Sequence, residues 1–135
     1  MPESLPLTSV NHLGLMTVHL DESIAFYRDV LGFRPVDRPN FDFPGCWLFN
    51  YGIMIHLIHN EATAGSEQRD IDIRGNHLAI HSDDLETVEA RLKEWGIAYR
   101  KNTIVDRGIK QIFFHDPDGH HVEVGTFPPV PPFID

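Results

Sequence analysis

Asn11-His12-Leu13-Gly14-Leu15 returns 65 positions later as Asn76-His77-Leu78-Ala79-Ile80, and this echo sets the reading of the whole chain. Each copy opens a short apolar stretch that reads as a strand. An acidic helix start follows each: Asp21 precedes Glu22-Ser23-Ile24-Ala25-Phe26-Tyr27, and Asp84 precedes Leu85-Glu86-Thr87-Val88-Glu89. A carboxylate there can accept from the free N–H groups of a first turn, so both helices are expected to be capped by these aspartates. Apolar residues then recur at helical spacing, Ile24, Tyr27 and Leu31 in one case and Leu85, Val88, Leu92 and Trp95 in the other. Gly32 and Gly96 stand where a left-handed C-terminal cap is wanted.

Strand-like runs come next in both halves. They are Phe33 to Val36, Cys46 to Asn50 and Ile53 to His59, then Ala98 to Lys101, Lys110 to His115 and His121 to Thr126. Turn chemistry separates them at Tyr51-Gly52 and Asp116-Pro117-Asp118-Gly119. The pattern is βαβββ twice, which makes the fold class α+β. The expected organisation is a single domain over residues 1–135, with module one at about 8–60, a polar linker at about 61–75, module two at about 76–127 and a proline-rich tail at 128–135.

Composition narrows the function. The chain has 135 residues, 41% of them hydrophobic, enough for a core without staples. Its formal charge of −9 has the wrong sign for a protein that neutralises phosphates, so no nucleic-acid partner is expected. No apolar run approaches the roughly 20 residues that cross a bilayer, so no membrane association is expected. Cys46 is the one cysteine, which excludes an internal disulfide and a cysteine metal cluster. The first ten residues resemble no secretory signal, and a cytoplasmic location is the expectation.

The histidines carry the chemical signal. Each module offers one candidate metal ligand on its first strand, His12 and His77, and one on its last, His56 and Glu123, separated by 44 and 46 positions. A lone histidine on a half-buried strand is usually a hydrogen-bonded core residue, and a lone strand glutamate usually faces water. Equivalent placement in two halves shifts that balance. Three imidazoles and a carboxylate suit one divalent ion, Zn, Ni, Co or Fe(II), and the absence of thiolates argues against a soft metal.

These residues resemble the vicinal oxygen chelate superfamily, which includes glyoxalase I, bleomycin-resistance proteins, extradiol dioxygenases and fosfomycin-resistance thiol transferases. The resemblance runs over about residues 8 to 127 and rests on Val10-Asn11-His12-Leu13, the run Ser23 to Phe33, Ile55-His56-Leu57, Asn76-His77-Leu78-Ala79, and Phe114-His115-Asp116-Pro117-Asp118-Gly119 followed by Val122-Glu123-Val124. It implies paired βαβββ modules forming a curved, partly closed sheet around a metal cleft. It also implies His12, His56, His77 and Glu123 as ligands, and a small-molecule substrate whose neighbouring oxygens meet the ion. Within the superfamily the chain looks like plant and bacterial glyoxalase-I-like proteins, which share the segment Phe41 to Phe49. That implies a metal-dependent lyase or isomerase working through an enediolate, with Glu123 as catalytic base. A homodimer is the expected assembly.

Two positions depart from glutathione-dependent glyoxalase I. A carboxylate is replaced by His56, and an arginine that grips glutathione is replaced by Met16. Asn60 does match an asparagine of the glutathione contact. Because His12, His77 and Glu123 alone form a two-histidine, one-carboxylate set, a non-heme Fe(II) dioxygenase is the alternative. A non-catalytic resistance-type binding protein is the other. His81, four residues after His77 as Met16 is after His12, is expected on the ligand face, while His59 should leave it. Trp47, Phe49 and Phe113 are candidates for an aromatic wall, with core packing as the plainer role.

Overall fold

Alternation and turn chemistry produce the expected strands almost residue for residue. The structure, a computed structural model, describes residues 1–134. Residues 1–11 and 127–134 form no helix or strand, and the end of the expected tail, Asp135, lies outside the described residues. The chain divides into two compact units, Met1–Thr63 and the residues from Ala64 onward. No helix is long and apolar enough to cross a membrane.

In the first unit β1 (His12–Thr17), β2 (Arg34–Val36), β3 (Gly45–Asn50) and β4 (Ile53–His59) form a four-stranded sheet in the order β1-β4-β3-β2. The second unit repeats the plan with β5 (His77–His81), β6 (Tyr99–Ile104), β7 (Ile109–His115) and β8 (His121–Thr126) in the order β5-β8-β7-β6. In each sheet the first and last strands of the module pair in parallel and the remaining pairs are antiparallel. A parallel pair needs a crossover connection, and helix α1 (Leu20–Ala25) or α2 (Leu85–Trp95) lies on that connection. The class is α+β, and neither sheet closes into a barrel.

Strand alternation separates core from site. Ile55 and Leu57 of β4 are fully buried, as are Leu48, Tyr27 and Phe33, whereas His56 turns to the opposite face. In the second unit Ile112, Phe114, Val122 and Val124 are buried, as is Leu92 of α2. At the β3–β4 hairpin Tyr51 and Gly52 both take positive φ, the backbone of a two-residue hairpin turn. Tyr51 tolerates this because its hydroxyl donates to the Leu31 carbonyl at 2.6 Å and its ring meets Phe33 edge-on. Gly32, at φ 83°, would place a Cβ 2.8 Å from that hydroxyl, so it is fixed by conformation and by space.

Several local expectations are corrected. Asp84 caps α2 as expected, accepting from the N–H and hydroxyl of Thr87. Asp21 does not cap α1: it lies in the first turn, and the N-cap is His19, whose side chain makes no capping bond. The hydroxyl of Thr17 accepts from the His19 N–H and bonds Ser23, organising this helix start from inside. The helix then continues as a π-turn over Phe26–Val30, wider than the 3.6-residue pattern foresees. Trp95, assigned to the apolar stripe of α2, is 54% exposed. β6 runs three residues beyond Lys101.

The stretch 61–75 is more than a linker. It forms two short 3₁₀ turns, Glu61–Thr63 and Ser66–Gln68, and its later part packs on the second unit. The Asp72 N–H donates to His121 Nε2 at 2.8 Å, and Arg100 donates to the Ile71 carbonyl. A Cβ on Gly119 would strike the Ser66 carbonyl, so the tight turn before β8 is shaped to receive this segment.

Candidate metal centre

The parallel pairs β1–β4 and β5–β8 position the candidate ligands. His56 lies opposite Gly14, two residues after His12, and Glu123 lies opposite Ala79, two residues after His77. The separations of 44 and 46 therefore describe one register, and the difference is absorbed outside the strands. Period-two alternation puts His12 with Gly14, and His77 with Ala79, on the ligand face of the sheet.

In module one the His12 and His56 rings stack at 3.7 Å between centroids, and Trp47, opposite His56 in the register, stacks on its other face at 4.0 Å. His12 Nδ1 donates to the Asn11 side-chain oxygen at 2.8 Å, which leaves Nε2 with its lone pair free for a ligand. His56 is 8% exposed, and its buried Nε2 has no hydrogen-bond partner. Burial foremost, then the electrostatic influence of His12 and Arg38, holds the His56 imidazole below its ordinary value. An unpartnered buried polar atom costs about 1–3 kcal/mol, a penalty that coordination to a metal would offset.

In module two His77 Nδ1 lies 2.8 Å from the Gly75 carbonyl, which can only accept, so Nδ1 carries the proton and Nε2 the lone pair. That Nε2 is 3.9 Å from Glu123 Oε2. Glu123 is 2% exposed, and burial raises its pKa against the opposing effects of His77 and of Gln111. Gln111 Nε2 donates to Glu123 Oε1 at 2.5 Å and is itself oriented by Asn102, which donates to its oxygen at 2.7 Å. Phe113 meets the His77 ring edge-on at 5.6 Å.

Thus His12 is brought to His56, and His77 to Glu123. Among the described residues no three histidine, cysteine, aspartate or glutamate side chains gather into one metal-holding group. The donors suit a borderline divalent ion: Nδ1 of His12 and of His77 is held by a local bond, the buried Nε2 of His56 has no partner, and the Glu123 carboxylate is fixed at one oxygen.

Residues outside the pairs find local partners. His81 donates to Asp83 through Nε2 at 2.7 Å and accepts the Phe127 N–H at Nδ1, so both ring nitrogens are engaged in holding the end of β5. Met16 is partly exposed, and the Asn60 side chain accepts from Ala62 N–H, capping the first 3₁₀ turn. His59 pairs with Glu61. Of the aromatic candidates, Trp47 stacks on His56, Phe113 is buried against His77, and Phe49 is exposed. Sequence reasoning missed Gln111 and Asn102. Pairing β7 with β8 across the Asp116–Gly119 turn would have put Gln111 on the face of Glu123, since it lies opposite Gly125.

The fold defines a class. The family model of the Glyoxalase/Bleomycin resistance protein/Dioxygenase superfamily matches residues 9–124, and the chain belongs to that superfamily. Among named relatives it is 40% identical over 124 residues to glyoxylase I 4 of Arabidopsis thaliana, covering 89% of this chain and 71% of that protein. It is 30% identical over 129 residues to the metallothiol transferase FosB of Lysinibacillus sphaericus, covering 90% and 84%. The crystal structure of a lactoylglutathione lyase from Agrobacterium tumefaciens superposes with a TM-score of 0.67 at 22% identity, covering 90% and 95%, which supports the fold.

Proposed function

We propose that the protein is a divalent-metal-dependent, glyoxalase-I-like lyase or isomerase acting on a small molecule with neighbouring oxygens, with His12, His56, His77 and Glu123 as ligands. The observation that carries this reading is the shared register: in both modules the last-strand donor sits opposite the residue two positions after the first-strand histidine. The likeness to glyoxylase I 4 adds a lyase precedent, and that to a metallothiol transferase adds a metal-dependent one.

Bound there, a divalent ion would polarise two adjacent substrate oxygens and stabilise the charge that develops on them. The chain's own residues supply the rest. Glu123 accepts the proton that moves between neighbouring carbons, and burial strengthens it as a base. Gln111 holds Oε1, leaving Oε2 as the atom that takes the proton. Trp47 and His12 clamp the His56 ring in one plane, so its open nitrogen has a fixed direction. A homodimer is part of the proposal, as is a cytoplasmic location.

Metal analysis of protein purified without added metal tests the reading, with turnover of methylglyoxal measured in the presence and absence of glutathione. The expected result is stoichiometric metal that His77→Ala loses together with turnover. No metal in the wild type, or turnover unchanged in His77→Ala, overturns it. Turnover of a catechol with Fe(II) but none of methylglyoxal would move the protein to the dioxygenase branch.

A further inference from the structure

An open cavity of about 520 Å³ lies within the second unit and is lined by Arg69, Asp70, Ile71, Ala98, Arg100 and His115 among others. Two arginines in one cavity are notable in a chain with 11 basic and 20 acidic residues. Among the described residues neither has a carboxylate within ion-pair distance, whereas Arg28, Lys93, Lys101 and Arg107 all do. Each is nonetheless held in place. Arg69 Nε donates to the Ser66 carbonyl at 3.1 Å, and Arg100 Nη1 reaches the Ile71 carbonyl at 3.4 Å. A guanidinium has five N–H donors, so most remain for a ligand.

The sheet register relates the cavity to the metal-binding pair. Arg100 lies opposite Phe113, and Phe113 lies opposite Glu123, so these three share one face. His115 and His121 form the neighbouring line on that face with His77, through the pairings His77↔His121 and His121↔His115. Arg100 is two strands from Glu123, roughly 10 Å at the usual strand spacing. Burial foremost holds the His115 imidazole below its ordinary value, and its ring gives the cavity a polar edge. With Asp70 counted, two arginines leave one net positive charge, which matches a single carboxylate better than a phosphate dianion.

We propose that Arg69 and Arg100 bind a carboxylate of the substrate, holding it on the same sheet face as His77 and Glu123 and roughly 10 Å from Glu123. The substrate class is therefore a carboxylate-bearing molecule whose reacting oxygens lie at that distance from the charge. This rests on the metal-site reading for its link to catalysis, but the binding site stands on its own residues.

The test is a two-dimensional amide NMR titration of the full chain at constant ionic strength. The probes are N-acetylglycine, with one carboxylate, and N-acetylglycinamide, the same molecule without the charge. Saturable shifts at Arg69 to Ile71, Ala98 to Arg100 and His115 are expected for the acid alone. The doubly substituted Arg69→Gln/Arg100→Gln protein should bind at least about fivefold more weakly with its spectrum otherwise preserved, and Arg100→Lys should recover part of the loss. Glu123→Gln should bind the acid as the wild type does, so this site is judged separately from the metal. Equal response to both probes, or affinity unchanged in the double variant, would overturn the proposal even if metal is found. Binding retained in a protein that holds no metal would sink the metal-site reading alone.

Discussion

Set side by side, the ligand faces of the two modules match in geometry and differ in chemistry. In module one the line across the sheet reads Gly14, His56, Trp47, Val36; in module two the equivalent line reads Ala79, Glu123, Phe113, Arg100. Where the last-strand donor is an imidazole, the residue beside it is an indole stacked flat on it at 4.0 Å. Where the donor is a carboxylate, the neighbouring Phe113 presents itself edge-on to His77, and a hydrogen-bonded amide pair, Asn102 and Gln111, steadies the charge. A neutral ring is oriented by π-surface, a buried anion by donors. Under the proposed function, positioning belongs to module one and proton chemistry to module two.

That division can be broken at either end. The largest effect is expected from Glu123→Gln, which removes the proposed base while keeping the size of the side chain. Turnover should fall by about 10²–10⁴-fold, read by steady-state kinetics at saturating metal. Gln111→Leu should weaken metal affinity by about 10–100-fold, because the carboxylate loses its orienting donor; competition with a chelator measures it. For module one, Trp47→Leu should cost less, about 0.5–1.5 kcal/mol in stacking, seen as up to about a tenfold loss of metal affinity with Glu123 chemistry intact. An effect of Trp47→Leu larger than that of Gln111→Leu would reverse the assignment of roles.

The helix starts give a smaller contrast. Asp84→Ala should lower stability measurably, since two hydrogen bonds to Thr87 are lost, while Asp21→Ala, which gives up only a helix-dipole interaction, should cost less. Urea denaturation of both variants checks the difference.

The finest test is the pH dependence of metal-free stability. Burial depresses His56, His115 and His121 in the folded state, so the unfolded chain binds more protons below the ordinary histidine value of 6.5, and stability should fall on acidification through that value. Glu123 acts in the opposite sense: its raised folded pKa gives stability that is present at low pH and lost as pH rises above 4.5. Melting temperature should therefore climb more steeply between pH 5 and 7 in Glu123→Gln than in the wild type. Equal slopes would show that Glu123 does not titrate differently in the folded chain.

Much of this was readable beforehand. The repeat around His12 and His77, the glycine stops, the turn at Asp116 to Gly119 and strand parity gave the βαβββ plan and the shared faces of His12 with His56 and of His77 with Glu123. Those signals are local: a strand alternates every two residues, a cap needs a carboxylate or a glycine at one position, and both are written in neighbouring residues. What sequence spacing left uneven, 44 against 46, pairing made equal, because register is a relation between strands far apart in the chain. Partners are equally hidden from spacing. His81 has the parity of a ligand-face residue, and only the fold brings Asp83 and the Phe127 N–H to its ring and Asp72 in stretch 61–75 to His121. The sequence alone therefore determined which elements form and which face each donor takes; only tertiary structure decided which nitrogens are left open, which amide steadies Glu123 and where two arginines share a cavity, because hydrogen-bond satisfaction and burial depend on partners brought together by folding.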